Sequence, residues 1–427
     1  MDDGPPTAGE LIGRVDIQAA SRSIAGVAVR TPTVACEELA EIAGTPVLLK
    51  AESLQLTGSF KLRGALHKVA ALGDRAAGGL VTASAGNHAR AVAQAARVRG
   101  IGCEVFMPRD APVSKVAAVE RLGASVHLDG VSVEDVVELA RSRAAEPDGP
   151  AFVHPFDDLD VIAGQGTLGI ELLEEVPDLA RVIVPVGGGG LASGVGIAMR
   201  RAGVTVDLVG VQAKACAPYV EALRNSGPPQ TIELSGTATI ADGIALKRPG
   251  TLTLPLLREL LDGLETVSED EIADAMVFLA DRAKLVSEGA GAVAVAALLS
   301  GRLAPVDGTT VAIVSGGNVD SGLLAGLLRR RETEEGRRVR IFTRVADRPG
   351  GLAELLSLVA GARANLVSLE HVREAVPLHV RETAVELMLE TRGPHHTREV
   401  VAELQRAGYE VLAEQGRTPA AKGSIPI

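Results

Sequence analysis

The chain has 427 residues, enough for two or three domains with cores of their own, and 46% of them are hydrophobic. A formal charge of −11, an aromatic content of 2% and no tryptophan argue against polyanion partners and against stacking platforms for nucleic-acid bases. Cys36, Cys103 and Cys216 lie far apart and fit neither a disulfide framework nor a zinc pattern, which reads as a globular protein of the reducing cytoplasm with no metal site.

The N-terminal MDDGPPTAGE is acidic and lacks the apolar run of a signal peptide. From about Pro46 to Arg330, β-rich runs (TPVLLK, GLVTAS, GCEVFMP, ARVIVPV, VDLVGVQ, TTVAIVS) alternate with Ala-rich stretches of helical period. That alternation predicts an α/β architecture with mainly parallel sheets. The uncharged runs between Arg181 and Arg200 and from Gly289 to Gly301 are too broken or too short to cross a bilayer. The charge-dense RRRETEEGRR, Arg329 to Arg338, reads as a linker or an exposed helix end. After it come a strand (RVRIFTRVA), a helix (PGGLAELLSLVAGA), two strands (NLVSLEHVR, ETAVELMLE), a helix (HTREVVAELQRAG) and a strand (YEVL). That βαββαβ order is the order of a small ferredoxin-like domain. The expected boundaries are 1–328 for the first region, with a smaller subdomain at roughly 50–155, then a linker at 329–337, a second domain at 338–415 and a mobile tail at 416–427.

Within the α/β region, TGSFKLRGA (Thr57–Ala65) places Lys61 in the first turn of a helix, with Ser59 as the expected N-cap. That helix end disfavours a cation, so the lysine is either an accident of a solvated surface or a neutral, nucleophilic group. Three further segments share a strand, a Gly-containing loop and a helix, a design that gathers at the carboxyl ends of an open sheet. Gly187, Gly188, Gly189 and Gly190, followed by Leu191, leave backbone N–H groups uncovered at a helix start, either as a phosphate cradle or as a turn for close packing. The run lacks the Lys-Ser/Thr ending of a nucleotide P-loop. Ser84, Ala85, Gly86, Asn87 and His88 offer a hydroxyl, an amide and free N–H groups suited to a carboxylate or a ring oxygen, or only a capped turn. Ser315, in Ser315-Gly316-Gly317-Asn318, gives a second hydroxyl at a third strand end. One ligand meets all of these features: pyridoxal 5'-phosphate joined to Lys61.

SFKLRGA, SAGNHA, GGGGL and SGGNVD, in this order, resemble the threonine dehydratases (threonine ammonia-lyases) among fold-type II pyridoxal-phosphate enzymes, and the resemblance covers residues 20 to 330 or so. DRPGGL (Asp347–Leu352), followed by ANLVSLEHVR, resembles an ACT regulatory domain, the other reading being a βαββαβ unit that serves only for dimerisation. The resemblance implies a tryptophan-synthase-β-like catalytic domain of two open α/β subdomains. In it Lys61 forms the internal aldimine and takes the Cα proton, Phe60 packs beside the ring and Asn87 bonds the ring hydroxyl. The backbone from Gly187 to Leu191 holds the phosphate, Ser315 faces the pyridine nitrogen, and Ser84 to His88 receive the substrate. The implied reaction turns L-threonine into 2-oxobutanoate and ammonia, and L-serine into pyruvate. The resemblance also implies a homo-oligomer, a dimer or tetramer, and control by a branched-chain amino acid at Asp347, Pro349, Gly350, Gly351, Leu352 and Asn365. Serine racemases look similar in all four motifs but carry a serine where this chain has Ala85, which cannot move a proton. Gln212, Cys216 and Pro218 replace their cation-binding pattern. Phe156 reads as a pocket wall or a core residue, Asp242-Gly243 as a segment near the cofactor, Arg63 as an ion-pair partner and His88 as a loop support. A serine-preferring dehydratase, a racemase and a non-catalytic amino-acid sensor are the competing readings.

Overall fold

The computed structural model describes residues 6–224, 239–372 and 381–414. The chain divides into two compact units, Met1–Asp320 and Ser321–Ile427. The first holds two sheets. Strands β1 (Thr33–Ala35), β2 (Val47–Ala51), β7 (Leu179–Pro185), β8 (Asp207–Ala213), β9 (Gly263–Val267) and β10 (Thr309–Val314) form a sheet in the order β1-β2-β10-β7-β8-β9. Every pairing in it is parallel except that of β1 with β2. Strands β3 (Leu80–Ala83), β4 (Cys103–Met107), β5 (Ser125–Leu128) and β6 (Ala151–Phe152) form a smaller all-parallel sheet, β5-β4-β3-β6. Every residue of β3 and β10 is buried, and apart from Thr82, Thr309 and Thr310 all are apolar, as burial on both faces of a parallel sheet covered by helices requires. The helix Gly289–Leu299 is apolar all round for the same reason: all but its last residue are buried.

The helix Leu159–Glu175 is the spine of this unit. A Cβ on Gly164 would lie 2.5 Å from Gly64 Cα, and one on Gly194 would lie 2.5 Å from Gly166 N, so this helix meets both the Lys61–Leu72 helix and the Gly190–Ala202 helix glycine on glycine. Beside the first crossing, Arg63 is sealed from solvent between Glu52 (2.8 Å) and Glu171 (2.6 Å), and the buried Lys50 pairs with Glu171 (2.8 Å) and Glu175 (3.0 Å). Arg63 is thus the ion-pair partner expected of it, fixing the helix that begins with Lys61.

The second unit opens with the helix Ser321–Glu334, whose last turns take up most of the charge run through the i,i+4 pairs Arg330–Glu334 and Arg331–Glu335. Strands β11 (Arg338–Ala346), β12 (Asn365–Val372), β13 (Glu382–Glu390) and β14 (Leu412–Glu414) then form an antiparallel sheet, β12-β13-β11-β14, with the helices Gly351–Gly361 and Pro394–Arg406. This is the ferredoxin-like order, and Val385, Leu387 and Leu389 of β13 face its core. The last strand begins later than YEVL suggests, because the Tyr409 N–H is used to close the preceding helix on the Leu404 carbonyl. The tail from 416 onward lies outside the described residues.

Candidate active site

The helix starts at Lys61, but Ser59 is not its cap. Phe60 takes that position with helical angles (φ −54°, ψ −22°) and no side-chain cap bond forms. Ser59 instead bridges to Gly316, while the Phe60 N–H donates to the Ser315 carbonyl at 3.1 Å. The backbone before Lys61 is therefore tied to the loop after β10. The Lys61 amine donates to the Pro155 carbonyl at 2.8 Å and lies 5.3 Å from the centre of the Phe60 ring. Burial pushes its pKa down to about 8, against a smaller opposing pull from Glu288. The helix end agrees in direction, but burial is the larger cause.

The glycine run follows β7 directly. Gly189 has φ +86°, and a Cβ there would come within 3.0 Å of Leu257, Thr253 and the Tyr219 hydroxyl, so only glycine fits. Tyr219 donates to the Gly188 carbonyl at 2.8 Å and holds that peptide by its oxygen. The first backbone bond of the helix that follows runs from Ser193 N–H to Gly189 O. Among the described residues, the N–H groups from Gly187 to Ala192 find no protein acceptor, although all but Gly187 belong to buried residues. Buried donors without acceptors are expensive, and together with the helix dipole they fit a phosphate. Phe156 lies flat on this run: a Cβ on Gly188 would fall 2.1 Å from its ring.

The loop after β3 is closed by the Gly86 N–H donating to Ser84 Oγ at 3.1 Å, which leads into the helix Asn87–Arg99. His88 bonds the Val153 carbonyl through Nε2 at 3.0 Å, and burial lowers its pKa to about 3, so it holds the loop as a neutral ring. Ser315 is buried at the end of β10, with only a long 3.4 Å contact to the Ala290 carbonyl, leaving its hydroxyl free for a closer partner. Asn87 donates to the Glu288 carboxyl and accepts from Asn318 Nδ2 at 2.6 Å. The loops after β3 and β10 thus meet the Lys61 loop in one place.

Glu288 is the member that sequence reasoning missed. It occupies the cap position of the helix Gly289–Leu299 yet makes no cap bond, so from the sequence it reads as an ordinary helix-start acid. Burial, helped by Asp242, raises its carboxyl pKa to about 7. Asp242 itself pairs with Lys115 at 2.7 Å, which puts the Asp242-Gly243 segment at the edge of this cluster. Gln212 is used structurally, donating to the Val186 carbonyl and accepting from Tyr219 N–H. The candidate effector contacts are not brought together within one chain. Asp347 follows the end of β11 that pairs with Glu382, whereas Asn365 pairs with Glu390 at the opposite end of the sheet. Gly350 adopts φ +92° at the start of the helix Gly351–Gly361, and Asn365 donates to Glu390 at 2.9 Å.

Residues 24–316 match the family described as "Pyridoxal-phosphate dependent enzyme". The chain is 45% identical over 403 residues to the L-threonine ammonia-lyase of Thermotoga maritima, covering 94% of this chain and 99% of that one. It is 42% identical over 383 residues to the L-threonine ammonia-lyase of Geobacter sulfurreducens, covering 90% and 94%. Among solved structures it is similar to a threonine deaminase from T.th. (TM-score 0.66, 41% identity, 71% of this chain and 98% of that one). Maize serine racemase is also similar (TM-score 0.68, 34% identity, 74% and 98%). With the N–H cradle and the buried lysine, these matches show that the chain belongs to the pyridoxal-phosphate dependent enzymes of fold-type II, alongside the threonine ammonia-lyases.

Proposed function

We propose that this chain converts L-threonine to 2-oxobutanoate and ammonia, and L-serine to pyruvate, by β-elimination. The observation that carries the reading is a buried lysine of lowered pKa together with a run of buried N–H groups that meet no acceptor among the described residues, in a chain whose relatives of nearly the same length are named for threonine deamination. When bound, the cofactor withdraws electrons from the substrate Cα. The protein supplies the rest. The N–H groups from Gly187 to Leu191 hold the phosphate, Phe60 packs beside the ring, and Asn87 directs an amide N–H at the ring hydroxyl. Ser84 to His88 would receive the substrate carboxylate, and the Lys61 amine would be the point of attachment for the cofactor and the base that takes the Cα proton. Ser315 offers the pyridine nitrogen a hydroxyl, which cannot balance a protonated ring as a carboxylate would. A hydroxyl there would favour prompt elimination over a long-lived carbanion, the β-hydroxyl leaving as water with a proton equivalent to the one taken from Cα. The water lost there is returned when the imine of the product is hydrolysed to 2-oxoacid and ammonia. Ala85 stands where serine racemases carry a serine and cannot itself move a proton, which favours elimination over racemisation.

The second unit acts in this reading as an ACT domain that binds a branched-chain amino acid through Asp347 to Leu352 and Asn365, within a cytoplasmic homo-oligomer. A coupling of roughly 1–3 kcal/mol would be typical of such control. L-serine separates elimination from racemisation. Chiral analysis of the cofactor-loaded protein with L-serine is expected to show pyruvate accumulating and no D-serine, and D-serine as the main product would overturn the assignment.

A further inference from the structure

Asn87 is held from two sides. Asn318 gives one N–H to Asn87 Oδ1 (2.6 Å) and one to the Thr57 carbonyl (2.9 Å), while its own Oδ1 accepts from Arg90. Its amide therefore has a single orientation, which makes Asn87 Oδ1 an acceptor and leaves Asn87 Nδ2 as the donor. One Nδ2 hydrogen goes to Glu288 Oε1. Glu288 is buried, its backbone N–H is anchored to the Gly316 carbonyl at 3.1 Å, and among the described residues no cation touches its carboxyl. The space is made for it: a Cβ on Gly316 would fall 2.3 Å from Glu288 Oε1 and 3.3 Å from Asn87 Nδ2. A carboxyl buried beside an amide and without a cation is costly to keep, so stability does not account for it.

We propose that Glu288 is a positioning residue for the cofactor: by accepting one Asn87 amide hydrogen, opposite the Asn318 clamp, it aims the other at the cofactor ring. The inference rests on the assignment of Asn87 to the ring, but not on threonine as the substrate. What matters is an acceptor at the right reach, and charge is secondary. Glu288→Gln keeps a carbonyl acceptor and loses the charge. Glu288→Asp keeps the charge and falls one methylene short.

The test is the dissociation constant for pyridoxal 5'-phosphate and the absorbance maximum of the loaded protein, measured on the full chain with no substrate present. Glu288→Gln is expected within about threefold of the parent, with the same maximum. Glu288→Asp and Glu288→Ala are expected to weaken binding by about tenfold, the step that one lost hydrogen bond of ~1.4 kcal/mol gives, and to shift the maximum. In an Asn87→Ala background the Glu288 substitutions should add nothing. The inference is overturned if Asp binds as the parent does while Gln does not, which would make charge the active property. It is equally overturned if Glu288→Ala weakens binding as much without Asn87 as with it. Should Glu288→Ala fail to fold, the Gln and Asp pair decides alone. A protein that passes this test yet leaves threonine untouched would refute the proposed reaction and not this inference.

Discussion

At the scale of single residues, the protonation of Lys61 governs how the holoenzyme forms. An exposed lysine titrates at about 10.4. Burial brings Lys61 to about 8, so a usable fraction of neutral amine exists at neutral pH. The rate of cofactor attachment to the cofactor-free protein should therefore climb about tenfold per pH unit below pH 8 and flatten above it, since the free base is the nucleophile. Stopped-flow growth of the near-visible absorbance measures this, and a rate still climbing steeply past about pH 10, where an exposed lysine titrates, would mean the amine is not shielded from water. The same burial that prepares Lys61 also raises Glu288 to about 7, because water is what stabilises either charge.

At the scale of elements, two glycine crossings fix the catalytic geometry. Gly164→Ala would place a methyl 2.5 Å from Gly64 Cα and 2.6 Å from the Arg63 carbonyl, so the helix that begins with Lys61 must move away. We expect a loss of roughly 1–3 kcal/mol, as overpacking usually costs, with weaker cofactor binding, whereas Gly9→Ala, in a helix and with nothing within 4 Å, should cost no stability and leave cofactor binding unchanged. Denaturant titration with cofactor binding checks the pair, and an unperturbed Gly164→Ala would show that the helices have slack. Element type was legible where burial is deepest: β3, β10 and the last five residues of β7 are buried and mostly apolar, and each of the three site loops follows such a run. Strands β1, β5, β6 and β9 were not foreseen. They are short or half-exposed, and only their neighbours define them. The Ser59 cap failed for a related reason: a tertiary bridge to Gly316 overrides local cap preference. Glu288 was illegible because its partner Asn87 is 201 positions away, and nothing local distinguishes it from a helix-start acid.

At the scale of the whole molecule, motifs from Thr57 to Asn318 converge because both α/β sheets of the first unit turn the carboxyl ends of their strands toward one cluster. The sequence carried this convergence through ordered motifs, and the fold supplies its cause. The ferredoxin-like order of the second unit was also legible, since its strands alternate by face and its helices repeat by 3.6. The effector contacts were less so. Asp347 and Asn365 lie at opposite ends of β11 and its neighbours, about 25 Å apart along the strand direction at ~3.3 Å per residue, which a linear sequence does not reveal. The central claim is that the Lys61 cluster deaminates threonine, and the most direct measurement is 2-oxobutanoate release from L-threonine by the cofactor-loaded full-length protein, beside Lys61→Ala. The account predicts sustained release by the parent and a fall of at least about 10³-fold in the variant, as loss of the positioned base and attachment point entails. A parent that binds the cofactor through Lys61 but yields no 2-oxoacid from threonine, or a Lys61→Ala variant that keeps its rate, would contradict it.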